Sequence, residues 1–258
     1  MKIISLVENT TANENLTCEH GLSLYIETNK RKILFDMGQS DLFAENAKKM
    51  GLDLSQVDMA ILSHGHYDHG GGLNKFLEIN SKAPVYISQY AFGQYYNGKE
   101  KYIGLDIALK ENNRIIFTDG KVKLGEGLTL YHCNDREKSY DLGSFGLNKK
   151  VENAFVPDDF LHEQYLCIEE NGKKVLISGC SHKGILNIVE WFQPDMLVGG
   201  FHFSKLQLDE TLESYAKVLD GYDTDYYTCH CTGVEQYQFM KKHMQRLNYL
   251  ATGNIIEF

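Results

Sequence analysis

No stretch of this 258-residue chain stays apolar for the ~18 residues that a membrane-spanning helix needs. The opening MKIISLVENT offers only two hydrophobic pairs before it turns polar, so no signal peptide is expected. Positive charge is in deficit. The net charge is −9, so the surface as a whole does not attract nucleic acid or anionic membrane, and an anionic substrate has to be caught by a local feature such as a metal. There is no internal repeat, no low-complexity run and no linker rich in proline, glycine or serine, so a single domain, 1–258, is expected. The six cysteines (Cys18, Cys133, Cys167, Cys180, Cys229 and Cys231) are scattered. In a chain long enough to build a core without staples, they read as the reduced thiols of a cytoplasmic protein. Cys229 and Cys231 stand one residue apart, too close for an easy disulfide and tighter than the usual zinc spacing.

What is present is an ordinary globular composition, 43% hydrophobic and 24% charged. Short β-branched runs come first: Ile3–Val7, then Leu22–Thr28 and Lys32–Asp36 around a hairpin at Asn29-Lys30-Arg31. A helix over Leu42–Met50 follows Ser40 or Asp41 as its cap, then a buried strand over Asp58–Ser63, a helix over Leu73–Ile79 and a strand over Val85–Ile87. Ile115–Phe117, Val122–Leu124 and Leu128–Tyr131 look like a meander, and Tyr165–Glu169 with Lys174–Ser178 like a hairpin across Asn171-Gly172. Helices at Ile185–Trp191, Leu208–Leu219 and Val234–His243 then alternate with strands at Met196–Val198 and Tyr226–Thr228. Two mixed sheets packed face to face with helices outside accommodate this order.

The chemistry concentrates in AILSHGHYDHGGG, where His64, His66, Asp68 and His69 fall within six residues directly after a buried strand. Strand ends in α/β folds open into clefts. His64 and His66 alternate by two and project to one side if the strand geometry persists, and Gly65 lets the chain turn between them. Nitrogens with one hard oxygen suit Zn first, with Fe, Mn or Ni as other candidates. A turn of surface histidines is the bland alternative, and four ligand-type residues at one strand end argue against it.

H-x-H-x-D-H at these positions resembles the signature of the metallo-β-lactamase-fold superfamily. The resemblance implies an α/β, αββα sandwich whose members are mostly hydrolases with one or two metals. Leu34-Phe35-Asp36-Met37-Gly38 is similar to the superfamily's first motif, whose aspartate, here Asp36, supports the metal loop from behind without binding metal. ISGCSHKGI (177–185), VGGFH (198–202) and CHCTG (229–233) together resemble the branch named for 7,8-dihydropterin-6-yl-methyl-4-(β-D-ribofuranosyl)aminobenzene 5′-phosphate synthase. Two features depart from the usual pattern. The third-motif histidine of T-x-G-H type is missing, with His162, Asp159 or Glu163 as substitutes, and Gly179-Cys180 stands where a bridging aspartate is usual.

The remaining candidates each end an expected strand: His182, His202 and His230. The assignment favoured here puts His64, His66 and His182 on one metal and Asp68, His69 and His230 on a second, with Cys180 and Asp159 as further ligand candidates. A water bound to such a cation loses its proton near neutral pH and attacks a phosphoryl or acyl centre. Asp68 orients that water or takes its proton. His202 is preferred as a proton donor or substrate contact over a ligand. In SQYAFGQYYNGKEKYIG (88–104), Tyr95, Tyr96, Lys101 and Tyr102 combine flat rings with positive charge, suited to a ring-bearing phosphate, although helix-face packing explains the aromatics equally well. Segments 88–104 and 134–160 are candidate lids. A metal-dependent hydrolase of a small phosphoester is the expectation. The alternatives are the synthase-type transferase of the branch, an iron oxidoreductase, and a metal-binding sensor without turnover. The expected partner is a small, phosphorylated molecule, with neither nucleic acid nor membrane; the oligomeric state stays open.

Overall fold

The computed structural model describes residues 1–257 and divides into two compact units. The first comprises Met1–Asp119, Ser144–Gln164 and the residues from Ala251. Strands and helices are numbered along the chain. The sheet begins with β1 (Lys2–Val7), β2 (Ser23–Glu27), β3 (Lys32–Phe35), β4 (Met59–Ile61) and β5 (Val85–Ser88). β6 (Tyr95–Asn97) and β7 (Lys101–Tyr102) leave it, and β8 (Ile115–Thr118) and the C-terminal β18 (Ile255–Glu257) complete it. Its seven strands run in the order β18-β1-β2-β3-β4-β5-β8. β18 to β3 pair antiparallel, whereas β3, β4, β5 and β8 are parallel. Helices α1 (Leu42–Lys49) and α3 (Leu73–Ile79) bury Phe43, Ala47, Leu73 and Phe76 in one cluster with Leu6, Leu34, Ala60 and Val85. Each large apolar side chain so buried contributes about 1.5–3 kcal/mol relative to exposure. Asn80 ends α3: its side-chain amide donates to Leu54 O and Val57 O, and its oxygen accepts from Ala83 N, which feeds the chain into β5.

A small second sheet of this unit, in the order β12-β11-β6-β7, adds the hairpin β11 (Leu147–Val151) and β12 (Ala154–Pro157). The aromatics expected on a helix face or a lid are therefore strand residues. Tyr96 packs edge-on against Tyr102 and Phe155 at 5.4 and 5.0 Å between ring centres.

The second unit, Gly120–Gly143 with Tyr165–Leu250, holds β9 (Lys121–Gly125), β10 (Leu128–Tyr131), β13 (Tyr165–Glu170), β14 (Lys173–Ile177), β15 (Met196–Gly199), β16 (Asp225–Thr228) and β17 (Leu247–Tyr249). The order is β17-β16-β15-β14-β13-β10-β9. β14 to β17 are parallel and the others antiparallel. Asn171 and Gly172 both have positive φ, 53° and 76°, as the expected two-residue turn of β13–β14 requires. Helices α4 (Ile185–Phe192), α5 (Glu210–Asp220) and α6 (Val234–Met240) supply apolar faces. Asp209 caps α5, accepting from Thr211 N at 3.0 Å, so the helix starts two residues later than its apolar pattern suggested.

The expected meander is corrected. β8 pairs in parallel with β5 in the first unit, and only β9 and β10 form a hairpin, in the second. Asp119-Gly120 announces a reversal without saying which sheet the next strand joins. Among the described residues, no helix is long and apolar enough to cross a membrane.

Candidate metal centre

In both units the parallel strands decide where the chemistry lies. Parallel neighbours end at the same sheet edge, so residues just past their C-termini are brought together. In the first unit Asp36 follows β3, the HGHYDH loop follows β4, and Gln89 to Gln94 lead from β5 to β6. Asp36 adopts a left-handed φ of 58°, an arrangement a non-glycine residue holds only when its surroundings over-determine it. Its N–H donates to Ile61 O at 2.9 Å, and its carboxylate accepts from Ser63 N and Ser63 Oγ, both at 2.7 Å. The same carboxylate lies 2.6 Å from His69 Nδ1. A carboxylate on one imidazole nitrogen fixes the ring and turns the other nitrogen outward, the usual backing of a metal-binding histidine.

His64, His66 and His69 are all buried, with ring centres 4.6 Å apart for His64–His66 and 4.1 Å for His64–His69. Ser63 Oγ lies 2.8 Å from His64 Nδ1. The four-residue helix α2 (Tyr67–Gly70) carries Asp68 and His69. Its backbone is pinned by Leu22 N to Asp68 O and Met37 N to His69 O, at 3.2 and 2.7 Å. Asp68 Oδ2 stands 4.0 Å from His69 Nε2 and 3.2 Å from Nε2 of the exposed His20, a neighbour that spacing along the chain does not announce. Gly65 has no room for a side chain, since a Cβ there would run into the Ala91 carbonyl.

His162, considered above as a metal ligand, has both ring nitrogens engaged. Nδ1 accepts from Gly65 N at 3.0 Å and Nε2 lies 3.1 Å from Asp158 Oδ2. Asp158, which no motif along the chain singles out, is buried and its Oδ2 is also 3.9 Å from His66 Nε2. Burial opposes its ionisation, yet the hydrogen bond from His162 and the nearby imidazole of His66 hold the carboxyl well below the usual range. Asp159 instead faces solvent and pairs with Lys149, and Glu163 is buried. Tyr95 is buried with its ring centre 4.0 Å from that of His162, and its hydroxyl donates to Tyr90 O at 2.6 Å. Burial and the charge of Asp158 push its phenol well above the usual value. Lys101 Nζ donates to Tyr67 Oη at 3.1 Å, and Tyr102 Oη to Leu105 O at 3.0 Å.

In the second unit β14, β15 and β16 lead to Cys180 and His182, to His202, and to His230 and Cys231. Ser181, His202 and His230 all take left-handed φ, at 58°, 57° and 49°. Gly199 is needed where β15 ends: its φ is 146° and a Cβ would strike the Ser178 carbonyl. The three loops are laced together by Gly200 N to Gly179 O at 2.8 Å, Phe201 N to Thr232 Oγ1 at 2.8 Å and Ser204 N to Cys231 O at 3.0 Å. The His182 and His202 rings lie 4.6 Å apart. Donor atoms of Cys180, His182 and His202, and those of Cys180, His230 and Cys231, lie within 4.8 Å of one another in each group. Burial opposes ionisation of the Cys231 thiol, but hydrogen bonds with Cys180 and His202 and the imidazoles of His202 and His230 hold it well below its ordinary value. Along the chain the C-x-C spacing is the only signal that Cys231 gives. Buried imidazole, carboxylate and thiol donors fit a divalent cation of borderline softness.

Residues 16–222 match the metallo-beta-lactamase superfamily, and the chain belongs to it. The crystal structure of Tm1679, named as a metal-dependent hydrolase of the beta-lactamase superfamily, is 30% identical, covers 100% of this chain and 99% of its own, and superposes with a TM-score of 0.85. The 7,8-dihydropterin-6-methyl-4-(beta-D-ribofuranosyl)-aminobenzene-5'-phosphate synthase of Methanocaldococcus jannaschii is 29% identical over 100% of this chain and 97% of its own length. Zn(2+)-bound PqqB from Methylobacterium extorquens, at 10% identity and a TM-score of 0.59 over both full chains, shares the fold alone. The mixed α/β fold and the branch expected from the sequence are thus those of the family, whose members are typically divalent-metal proteins and mostly hydrolases.

Proposed function

We propose that the protein is a metal-dependent hydrolase of a small phosphoester or related anionic molecule, with His64, His66 and His182 holding one divalent metal and Asp68, His69 and His230 a second. The observation that carries this reading is the backing of His69 by Asp36, which presents a buried imidazole beside two others at one strand end. Zinc suits the donors best, and Cys180 is a further ligand. The cation supplies Lewis acidity that makes water nucleophilic near neutral pH. Asp68, placed between His20 and His69, orients that water and receives its proton. His202 donates to the leaving group or steadies its developing charge. Tyr96, Tyr102 and Lys101 contact the substrate with their accessible edges, while Tyr95 shapes the site from behind His162. The net charge of −9 favours a small substrate caught at the metal over a nucleic acid or a membrane surface.

The test is turnover of bis(p-nitrophenyl) phosphate by protein loaded with zinc or manganese. Activity is expected to disappear on chelation, to return with metal, and to fall to background in His64→Ala and His230→Ala. Undiminished activity in either variant rejects the assignment. A second reading, synthase-type transfer onto a phosphorylated ribose compound, is favoured by the full-length likeness to the M. jannaschii synthase. Product formation from a dihydropterin whose 6-methyl carbon bears a leaving group such as diphosphate, displaced by the amine of a ribofuranosylaminobenzene phosphate, without phosphodiester cleavage, would select it.

A further inference from the structure

Asp158 and His162 lie in the loop that follows β12, four residues apart, where the family's usual third histidine is expected. The His162 ring has no exposed side-chain surface, and its two nitrogens are claimed from opposite sides. The Gly65 N–H donates to Nδ1 at 3.0 Å, so Nδ1 carries no proton. The proton is therefore on Nε2, which donates to Asp158 Oδ2 at 3.1 Å. An imidazole so engaged is neutral and has no lone pair left for a metal. Asp158 accepts a further bond from Phe160 N at 2.9 Å, and Phe160 itself sits at a φ of 56°. This strained turn fixes the carboxylate within 3.9 Å of His66 Nε2. That distance is too long for a direct hydrogen bond, so Asp158 acts on His66 through its charge and through the backbone it anchors. The Tyr95 ring closes the other face of His162, and the Ala91 carbonyl closes the other side of Gly65.

We propose that Asp158 and His162 form one positioning pair for His66: the neutral imidazole holds the Gly65 backbone, and the buried carboxylate places a negative charge behind the metal-facing histidine. The inference rests on the reading that His66 is a metal ligand. Its physical basis is that a carboxylate behind a ligating imidazole orients the ring and strengthens its hold on a cation, and removing such a partner typically weakens metal binding about 10–100-fold. The chain thereby replaces a missing ligand position with a device that sharpens one already present.

The test uses the full-length protein titrated with Co2+, read by its visible d–d absorption, with Zn2+ affinity measured by competition. In D158N and in H162Q, Co2+ affinity is expected to fall about 10–100-fold and the absorption bands to shift. The metal-free melting temperature should stay close to that of the unsubstituted protein. The double variant should bind no more weakly than the worse single one, because the two residues act as a unit. Unchanged Co2+ affinity in D158N overturns the proposal, as do additive losses in the double variant. A loss of affinity that only tracks a lower metal-free melting temperature, with unmoved bands, overturns it too. Should D158N not fold, H162Q decides by the same readouts. A wild-type protein that binds no Co2+ or Zn2+ overturns the metal reading itself, an outcome distinct from any variant-specific loss.

Discussion

The two units build their donor sets by opposite routes from the same sheet logic. The first takes His64, His66, Asp68 and His69 from one continuous loop after β4, and it backs them with carboxylates, Asp36 on His69 and Asp158 beside His66. The second gathers its donors from three separate strand ends, and it supports them with hydroxyls, Ser178 on Ser181 and Thr232 on Phe201 N. Sulfur is divided just as unevenly: Cys18 alone is in the first unit, and the other five cysteines are in the second. The lesson is about how precision is obtained. A contiguous loop needs strong, charged anchors to hold its shape against its own freedom. Short loops that each bring only one or two donors past a strand end inherit more of their placement from the ladder, and neutral hydrogen bonds lock them.

The comparison predicts unequal losses when the anchors are removed. Asp36→Ala leaves Ser63 N, Ser63 Oγ and His69 Nδ1 without their buried acceptor. Its cost is expected to be about 3–5 kcal/mol. Thr232→Val removes only the acceptor of Phe201 N and the hydroxyl contact with Thr228, for about 1–3 kcal/mol. Urea unfolding of both variants, metal-free, measures the difference. Equal losses would break the contrast between charged and neutral anchoring.

A smaller effect sharpens the point about ladder-placed loops. Gly199→Ala runs directly into a backbone carbonyl at a φ that L residues avoid, whereas Gly200→Ala lies outside that φ region and meets the Cys231 sulfur first, with the nearest backbone carbonyl, that of Gly179, at 3.1 Å. The first is expected to destabilise by about 3 kcal/mol and the second by about 1 kcal/mol. Thermal melts of the two variants check the order. If Gly200→Ala is the worse, the sulfur rather than the strand end sets the geometry.

The same contrast explains what the sequence made legible. The first loop announced itself because its donors are contiguous and follow a buried run; His182, His202 and His230 could be singled out because each follows a recognisable strand. The fold followed from these motifs together with the strand–helix alternation. β6, β7, β11 and β12 escaped because two to five residues without apolar alternation carry no period, and their aromatics suit a helix face equally well. β8 was misplaced because parallel pairing with β5 depends on residues some thirty positions away. Asp158 escaped because nothing in its surroundings along the chain tells it from Asp159. Only the folded position separates a carboxylate on His162 from one on Lys149.

The gentlest test concerns charged anchoring in the second unit, away from its donors. Asp195 accepts from Lys174 N at 2.7 Å, ahead of β15. That bond, against a small burial penalty and with help from Lys173 and Lys174, lowers its pKa. A lowered carboxyl pKa means that the folded state holds the ionised form more strongly than the unfolded chain does. The stabilisation is then complete above the unfolded value, near 3.9, and is lost as pH falls through the folded one. Because the side chain is 39% exposed, water and salt screen much of the gain. Asp195→Asn is therefore expected to lower the melting temperature slightly at neutral pH and not at all at the acid end, so that the two proteins converge as pH falls below about 4. A constant gap across that range would mean that Asp195 acts through shape rather than charge, and the neutral anchoring assigned to the second unit would extend to this carboxylate as well.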